Sequence, residues 1–343
     1  MHAEAGPSLS SGMPAAIVDR PGAGPRITRV PVPARVVGTT LIEVVAAPLN
    51  PLDLVVASGN FHSARHEEPY TPGSECVGAV LDSDSHPAGT WVYAECRPAP
   101  ASPGSFATSV VVADDDVLPL PDGLDPVLAA AVGNSGTAAF IALVDDGALR
   151  AGQTVLILGA TGAVGQLAVQ IARRHGAGRI VGVGRDQAAL ARLTGLGADA
   201  SVDLRPGEDE DEPADRLLAA AGPVDVVLDG IFGVPFQAAL RVCAPRARVV
   251  NIGNPAGAVA QLTAGLLRGK QLTVSGFAGM HTPLRDKRTA LDWLWASLAQ
   301  GDLRVSVRTF SLDELPSAWR AQASSPHTKC VVLPTTSHAH LQS

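Results

Sequence analysis

Hydrophobic and polar positions change their period part-way along this chain. From about Ala15 to Leu120, short β-branched runs such as "TTLIEVVAA", "CVGAVL", "TWVYAEC" and "FATSVVVA" are set apart by proline and glycine, which predicts a mostly β region. From Pro126 the texture turns helical in "DPVLAAAVGNSGTAAFIALVDDG". It then alternates through "TVLILGA", "QLAVQIARRHGA", "RIVGVGR", "QAALARLTGLGA", "VDVVLDGI", "PFQAALRVC" and "ARVVNIG". Strands alternating with helices predict an α/β fold with a parallel, doubly wound sheet. The acidic run "PGEDEDEP", Pro206 to Pro213, interrupts the alternation and reads as a solvated loop. After "KQLTVSGF", ending at Phe277, "ALDWLWASLAQG" predicts an amphipathic helix, followed by "VRTFSLDELPSAWRAQ" and a last strand, "KCVVLP". This closing segment groups with the β half.

A chain of 343 residues is longer than one core usually organises. The pattern predicts a β domain over residues 15–126 that resumes over 273–335, an α/β domain over 127–272, and flexible tails at 1–14 and 336–343.

The most informative stretch begins at Val155, where "VLILGATGAVGQLAVQIARRHG" joins an apolar strand to a helix through glycines. In such a unit a dinucleotide pyrophosphate sits on exposed N–H groups at the helix start, where side chains would obstruct it. Gly162 falls where backbone must approach phosphate, Gly165 where helix packs closely on strand, and Ala160 takes the place of the first glycine of GxGxxG. Thr161, Ala163 and Val164 complete the turn, and Val164, Leu167, Ala168 and Ile171 share one helical face. About twenty residues on, the next strand ends at Gly184, and Arg185 follows where an adenosine ribose is expected. A guanidinium there favours a 2′-phosphate and hence NADPH, while Asp186 offers the competing acidic role toward NADH.

Composition narrows the partners. A net charge of −7 argues against a nucleic-acid binder, and no run of about twenty apolar residues signals a membrane span. The N-terminal "MHAEAGPSLSSGMPAA" lacks the features of a secretory signal. Four scattered cysteines, Cys76, Cys96, Cys243 and Cys330, form no CxxC pair, so a reducing cytoplasm fits. His338 and His340 have a metal-compatible spacing within a polar terminal run.

Several longer motifs carry a family resemblance: "APLNPLDLVVASGNF", "PYTPGSECVGAVL", "GSFATSVVVADDDVLPLPDGL", "GTAAFIAL", "GATGAVG" and "LRGKQLTVSGF". In this order, from about Ala15 to Pro334, they resemble the medium-chain dehydrogenase/reductase superfamily, specifically its zinc-independent quinone oxidoreductase-like branch. The resemblance implies a Rossmann-type sheet with a mostly β GroES-like catalytic domain, and a homodimer joined through "LTVSGF". The positions matching the zinc ligands of related alcohol dehydrogenases are Asn50, the Gly73-Ser74-Glu75 run and Gly133. They are a poor set for a metal that prefers thiolate and imidazole, so no metal is expected. Hydrogen-bond donors would then stabilise a developing enolate or phenolate, which points to a small-molecule quinone or enone as acceptor.

By the same resemblance Asn50 looks toward the nicotinamide as an oxyanion donor, with an alternative role in holding the turn before Pro51. Asp53 is expected to fix that loop through backbone N–H groups. Thr137 matches a threonine beside the nicotinamide, with helix back-bonding as the alternative. Asn134 and Ser135 are polar in a run the family usually keeps small and apolar, and either contact substrate or carboxamide, or cap a helix. Asn251, Gly253 and Phe277 match positions that offer backbone groups to the carboxamide. Lys329 resembles a lysine directed at the cofactor, or is a surface lysine. No tyrosine follows the "NPLD" motif, which leaves His62, Tyr70 and water as proton-donor candidates. The competing use of the fold is non-redox, as in a biosynthetic cyclase or a binding protein.

Overall fold

The computed structural model describes residues 12–61, 69–97 and 104–335. The chain divides into two compact units, Met1–Gly133 with Ser306–Ser343, and Asn134–Val305.

The first unit holds β1 (Met13–Ile17), β2 (Arg26–Val30), β3 (Thr39–Pro48), α1 (Pro51–Ala57), β4 (Glu75–Asp82), β5 (Trp91–Glu95), β6 (Ser109–Ala113) and β7 (Val117–Pro119). The chain leaves this unit through α2 (Pro126–Phe140). β3 shows the alternation expected of a half-buried strand, with Thr40, Ile42, Val44 and Ala46 turned inward. Ile42 and Val44 join Cys76, Val92, Phe106 and Val110 in one core. The segment before Glu75 is fixed by a close backbone crossing in which the N–H groups of Gly104, Ser105 and Phe106 donate to the carbonyls of Thr71, Gly73 and Pro72.

The second unit runs through β8 (Thr154–Leu158), α3 (Ala163–Arg174), β9 (Arg179–Gly184), α4 (Gln187–Arg192), β10 (Ala200–Asp203), α5 (Asp211–Ala221) and β11 (Val224–Asp229). It continues with α6 (Gly233–Val242), β12 (Cys243–Asn251), α7 (Ala264–Lys270), β13 (Thr273–Gly276) and α8 (Leu284–Ala299). Its strands are all parallel in the order β10-β9-β8-β11-β12-β13. The order reverses between β8 and β11, the switch point at which doubly wound sheets bind ligands. Val155 to Leu158 are buried without a break, as a strand covered on both faces must be. β13 closes one edge, with Val274 36% exposed.

The chain then returns to the first unit as β14 (Val307–Ser311), α9 (Leu315–Ala323) and β15 (Lys329–Leu333). The first-unit sheet takes the order β14-β15-β3-β4-β5-β7, with β6 paired to β3. β15 meets the end of β3 at Val331 and Pro48.

The return begins at Ser306 rather than near residue 273. β13 lies in register with β12 from Arg248↔Thr273 to Asn251↔Gly276, so it completes the parallel sheet. α8 belongs with it: a Cβ on Gly136 would lie 2.7 Å from Leu294. Just beyond α8, Gln170 of α3 exchanges two hydrogen bonds with the Arg304 backbone, at 2.9 and 2.8 Å. An amphipathic helix reveals that it has an apolar face but not which sheet that face covers. The exit boundary falls inside α2, at Gly133, rather than at its start.

The acidic run ends in helix. Asp211 and Glu212 open α5, where carboxylates favour the positive end of the helix dipole, and Glu208 pairs with Arg216 at 2.7 Å. The apolar stretch Pro126–Asp145 is long enough to cross a membrane by composition alone, yet 72% of its most apolar window is buried inside the fold.

A Cβ on Gly165 would stand 2.4 Å from the Gly159 carbonyl oxygen and 2.5 Å from Ala160 Cα. Both obstacles are backbone, so Gly165→Ala must push α3 away from the turn. Chemical denaturation is expected to show a loss at the upper end of the ~1–3 kcal/mol typical of overpacking.

Candidate functional site

In the second unit the turn from β8 into α3 is built for a close approach. Gly159 adopts φ +81°, a conformation natural to glycine, so the tight turn belongs to Gly159 and not to Ala160 after it. Gly162 is the residue before α3 and supplies no side-chain cap. A Cβ on it would meet nothing nearer than the Gly159 carbonyl oxygen at 3.6 Å, so the space in front of the helix start is open. Thr161 is buried and its carbonyl accepts from Gln166 Nε2 at 2.7 Å. Ala163 and Val164 form the first turn of α3. A Cβ on Gly184, the last residue of β9, would lie 2.9 Å from Thr161 Cγ2, which brings the two strand ends together. An open, uncapped helix start over a glycine turn fits the pyrophosphate of a dinucleotide.

Beyond β9, Arg185 is exposed and makes no hydrogen bond or ion pair among the described residues. Asp186 caps α4 instead, its carboxylate accepting from the Ala189 N–H at 2.8 Å. On the other side of the switch point, Asn251 Nδ2 donates to Asp229 Oδ2 and to the Gly253 carbonyl, both at 2.7 Å, and the Phe277 N–H donates to the Asn251 carbonyl at 2.9 Å. These contacts join the three residues to one another, and the Asn251 amide ties β11 to β12. Asp229 is buried, which pushes its carboxyl upward, and it accepts the N–H groups of Ile231 and Phe232. In α2, Thr137 donates to the Asn134 carbonyl at 3.1 Å, the back-bonding role. Ser135 is buried, and Asn134 is half-buried.

The first unit holds a buried polar network. Lys329, at the start of β15, is not a surface lysine. It is 2% exposed, and Nζ donates to Asn50 Oδ1 at 2.5 Å and lies 3.9 Å from Glu75 Oε1. An ammonium can only donate, so the amide oxygen of Asn50 must face it. The amide nitrogen then donates to Glu75 Oε1 at 2.8 Å and Ser74 Oγ at 3.2 Å. The other carboxylate oxygen of Glu75 accepts from the Tyr93 hydroxyl at 2.8 Å. Both amide hydrogens of Asn50 are therefore directed inside the chain, which corrects its expected role as an oxyanion donor and makes it the bridge between Lys329 and Glu75.

Asp53 behaves as expected, accepting the Asn50 N–H at 2.7 Å. Tyr70 pairs with Val18 across an isolated bridge and packs with Val18 and Ala57. Burial and the charge of Asp53 push its phenol upward, which disfavours the phenolate. His62, His338 and His340 lie outside the described residues. Sequence reasoning missed Tyr93, whose signal was an aromatic residue with a polar tip inside the apolar strand "TWVYAEC".

The positions matched to zinc ligands carry an amide, a hydroxyl beside a carboxylate, and a glycine. Gly133 has no room for a ligand, since even a Cβ would lie 2.3 Å from Glu75 Oε2 and 2.5 Å from Tyr93 Cε2. Among the described residues no three His, Cys, Asp or Glu side chains cluster as a metal site. This donor set, neutralised by its own ammonium, does not fit zinc.

Residues 37–122 match the alcohol dehydrogenase GroES-like domain family and residues 163–296 the zinc-binding dehydrogenase family. Prostaglandin reductase-3 of Bos taurus is 30% identical over 293 residues, 82% of this chain and 75% of that protein. The chain belongs to the medium-chain dehydrogenase/reductase superfamily. Within this superfamily it falls in the quinone oxidoreductase-like branch: the quinone oxidoreductase of Thermus thermophilus, solved also in complex with NADPH, aligns with a TM-score of 0.78 at 30% identity, covering 94% of this chain and all of that one. A phenolphthiocerol/phthiocerol polyketide synthase polypeptide of Mycobacterium tuberculosis is 31% identical over 88% of this chain, which spans 14% of that protein's length. The dehydrogenase/reductase fold thus accounts for both units, while the name of its zinc-binding domain family does not carry over to this donor set.

Two outcomes follow from the buried network. Lys329→Met leaves the Glu75 carboxylate buried without its cation and is expected to cost about 3–5 kcal/mol in chemical denaturation, and adding Glu75→Gln should recover part of the loss. Burial, the largest influence, pushes the Asp53 carboxyl up to about 7. The folded state therefore holds a proton that the unfolded chain releases near pH 4, and this contribution to stability is complete below about 4 and lost as pH rises through about 7. Asp53→Asn should flatten the pH dependence of Tm across that window.

Proposed function

We propose that this protein is an NADPH-dependent, zinc-independent reductase that transfers hydride to a quinone or to the activated C=C of an α,β-unsaturated carbonyl compound. The observation that carries the reading is the open glycine turn before α3, with the unpaired guanidinium of Arg185 just past the end of β9. The Asp186 carboxylate is already engaged as the cap of α4, which removes the competitor expected to favour NADH. Arg185 is the group available to hold a 2′-phosphate. The amides at the start of α3 hold the pyrophosphate, and the backbone around Asn251, Gly253 and Phe277 receives the carboxamide. When bound, the reduced nicotinamide supplies the hydride.

The acceptor class follows from the charge that must be stabilised. Reduction of an enone or quinone places negative charge on an oxygen, and hydrogen-bond donors in a water-poor site stabilise such an oxyanion without a metal. The zinc-matched positions are taken up by the Asn50 and Glu75 network around the Lys329 ammonium, so a Lewis acid is absent from this reading. Relatives named prostaglandin reductase and quinone oxidoreductase support the two acceptor classes.

The test is nicotinamide absorbance with NADPH or NADH over a panel of quinones and enones. Turnover selective for NADPH is expected, and Arg185→Ala should raise the KM for NADPH about 10–100-fold, the value of a lost charge-assisted pair, while leaving NADH almost unchanged. Equal use of both cofactors by the wild type would overturn the Arg185 assignment, and NADPH binding without consumption by any acceptor would favour a non-redox role.

A further inference from the structure

Three unusual choices meet at one place in the second unit. Lys287 is 1% exposed although it lies in the first turn of α8, while its neighbours Arg285, Asp286 and Arg288 are exposed. Lysine is almost never fully buried without a partner, and the positive end of the helix dipole opposes a cation at that turn. Asn134 and Ser135 are the polar residues in the small, apolar "AAAVGNSG" run of α2. Gly279 has no positive φ to require glycine. Its reason is spatial: a Cβ there would lie 3.1 Å from Asn134 Oδ1, 3.7 Å from the Phe277 ring and 3.8 Å from Lys287 Nζ. Gly279 thus lets the amide oxygen of Asn134 and the ammonium of Lys287 converge beside Phe277.

We propose that Lys287 is a positioning residue that holds the amide oxygen of Asn134, so that the Asn134 amide nitrogen donates to the carbonyl oxygen of the acceptor. The ammonium has only donors and the amide oxygen only accepts, so the contact fixes which way the amide turns. It also polarises the amide and strengthens its N–H groups as donors. Asn134 then takes the oxyanion role that Asn50 cannot fill, because both Asn50 amide hydrogens face Ser74 and Glu75. When hydride adds to the β-carbon of an enone, a C–H bond forms there and the C=C electron pair moves toward the carbonyl oxygen. The resulting enolate oxygen accepts from Asn134 Nδ2, and water later returns a proton to the α-carbon.

The assignment rests on the reductase reading, and the experiment separates the two. Wild type, Lys287→Met, Lys287→Gln, Asn134→Ala, Gly279→Ala and the Lys287→Met/Asn134→Ala double variant are compared by steady-state turnover of an enone with NADPH, by NADPH fluorescence titration and by thermal unfolding. Lys287→Met and Asn134→Ala should each lower kcat about 100-fold, the effect of losing one oxyanion donor, with acceptor KM and NADPH Kd within about twofold of wild type. The double variant should be no worse than either single one, and Lys287→Gln, which keeps a donor, should recover part of the rate. Gly279→Ala, which leaves both polar residues in place, should lower kcat in the same direction and keeps the proposal testable if Lys287→Met does not fold. Independent, multiplying losses, or a loss that follows NADPH affinity, would overturn the assignment while sparing the reductase reading. A wild type that consumes no NADPH with any acceptor would sink both.

Discussion

The first unit is organised around one buried cation. A lysine ammonium taken out of water must be met by groups that replace its hydration, and a carboxylate buried beside it has the same need. Lys329 and Glu75 meet that need through Asn50, whose amide accepts on one side and donates on the other. The arrangement dictates much around it. Tyr93 satisfies the second carboxylate oxygen, Gly133 must be bare to admit the Glu75 carboxylate and the Tyr93 ring, and Asp53 fixes the backbone that carries Asn50. Where a zinc enzyme of this superfamily would present ligands to an external cation, this chain carries an internal one.

That substitution changes what each residue is available to do. Asn50 is fully occupied by its neighbours, so its conformation is rigid but its donors point inward. The second unit is complementary in design. Arg185 is left exposed and the start of α3 has no side-chain cap, while Asp186, Asn251 and Asp229, which would compete for or repel an anionic ligand, are bound into caps and strand ties. Structural satisfaction and ligand readiness are assigned to different side chains.

Much of this was legible in the residues. The doubly wound sheet followed from unbroken apolar strands alternating with helices, and the cradle from glycine spacing, because local periodicity and steric need at a turn are both short-range. Features set by long-range or ambiguous signals escaped. The placement of β13 and α8 depends on which sheet accepts them, a property of long-range pairing. The start of α5 within the acidic run was masked because carboxylates suit both a solvated loop and a helix N-terminus. The destination of Lys329 was hidden because a lysine before an apolar strand reads as a surface residue. Only the meeting of β15 with the end of β3 shows that it is buried.

Lys329 and Asn50 are separated by 279 positions in sequence, and the whole second unit lies between them. During synthesis, β3 and β4 emerge early, but the cation they require emerges only after the dinucleotide sheet has left the ribosome. The contiguous second unit is therefore free to fold first, and the β unit must wait with its carboxylate uncompensated and the β3 edge that β15 will cover still open. The late arrival of β15 acts as a latch, coupling completion of one unit to the finished translation of the other.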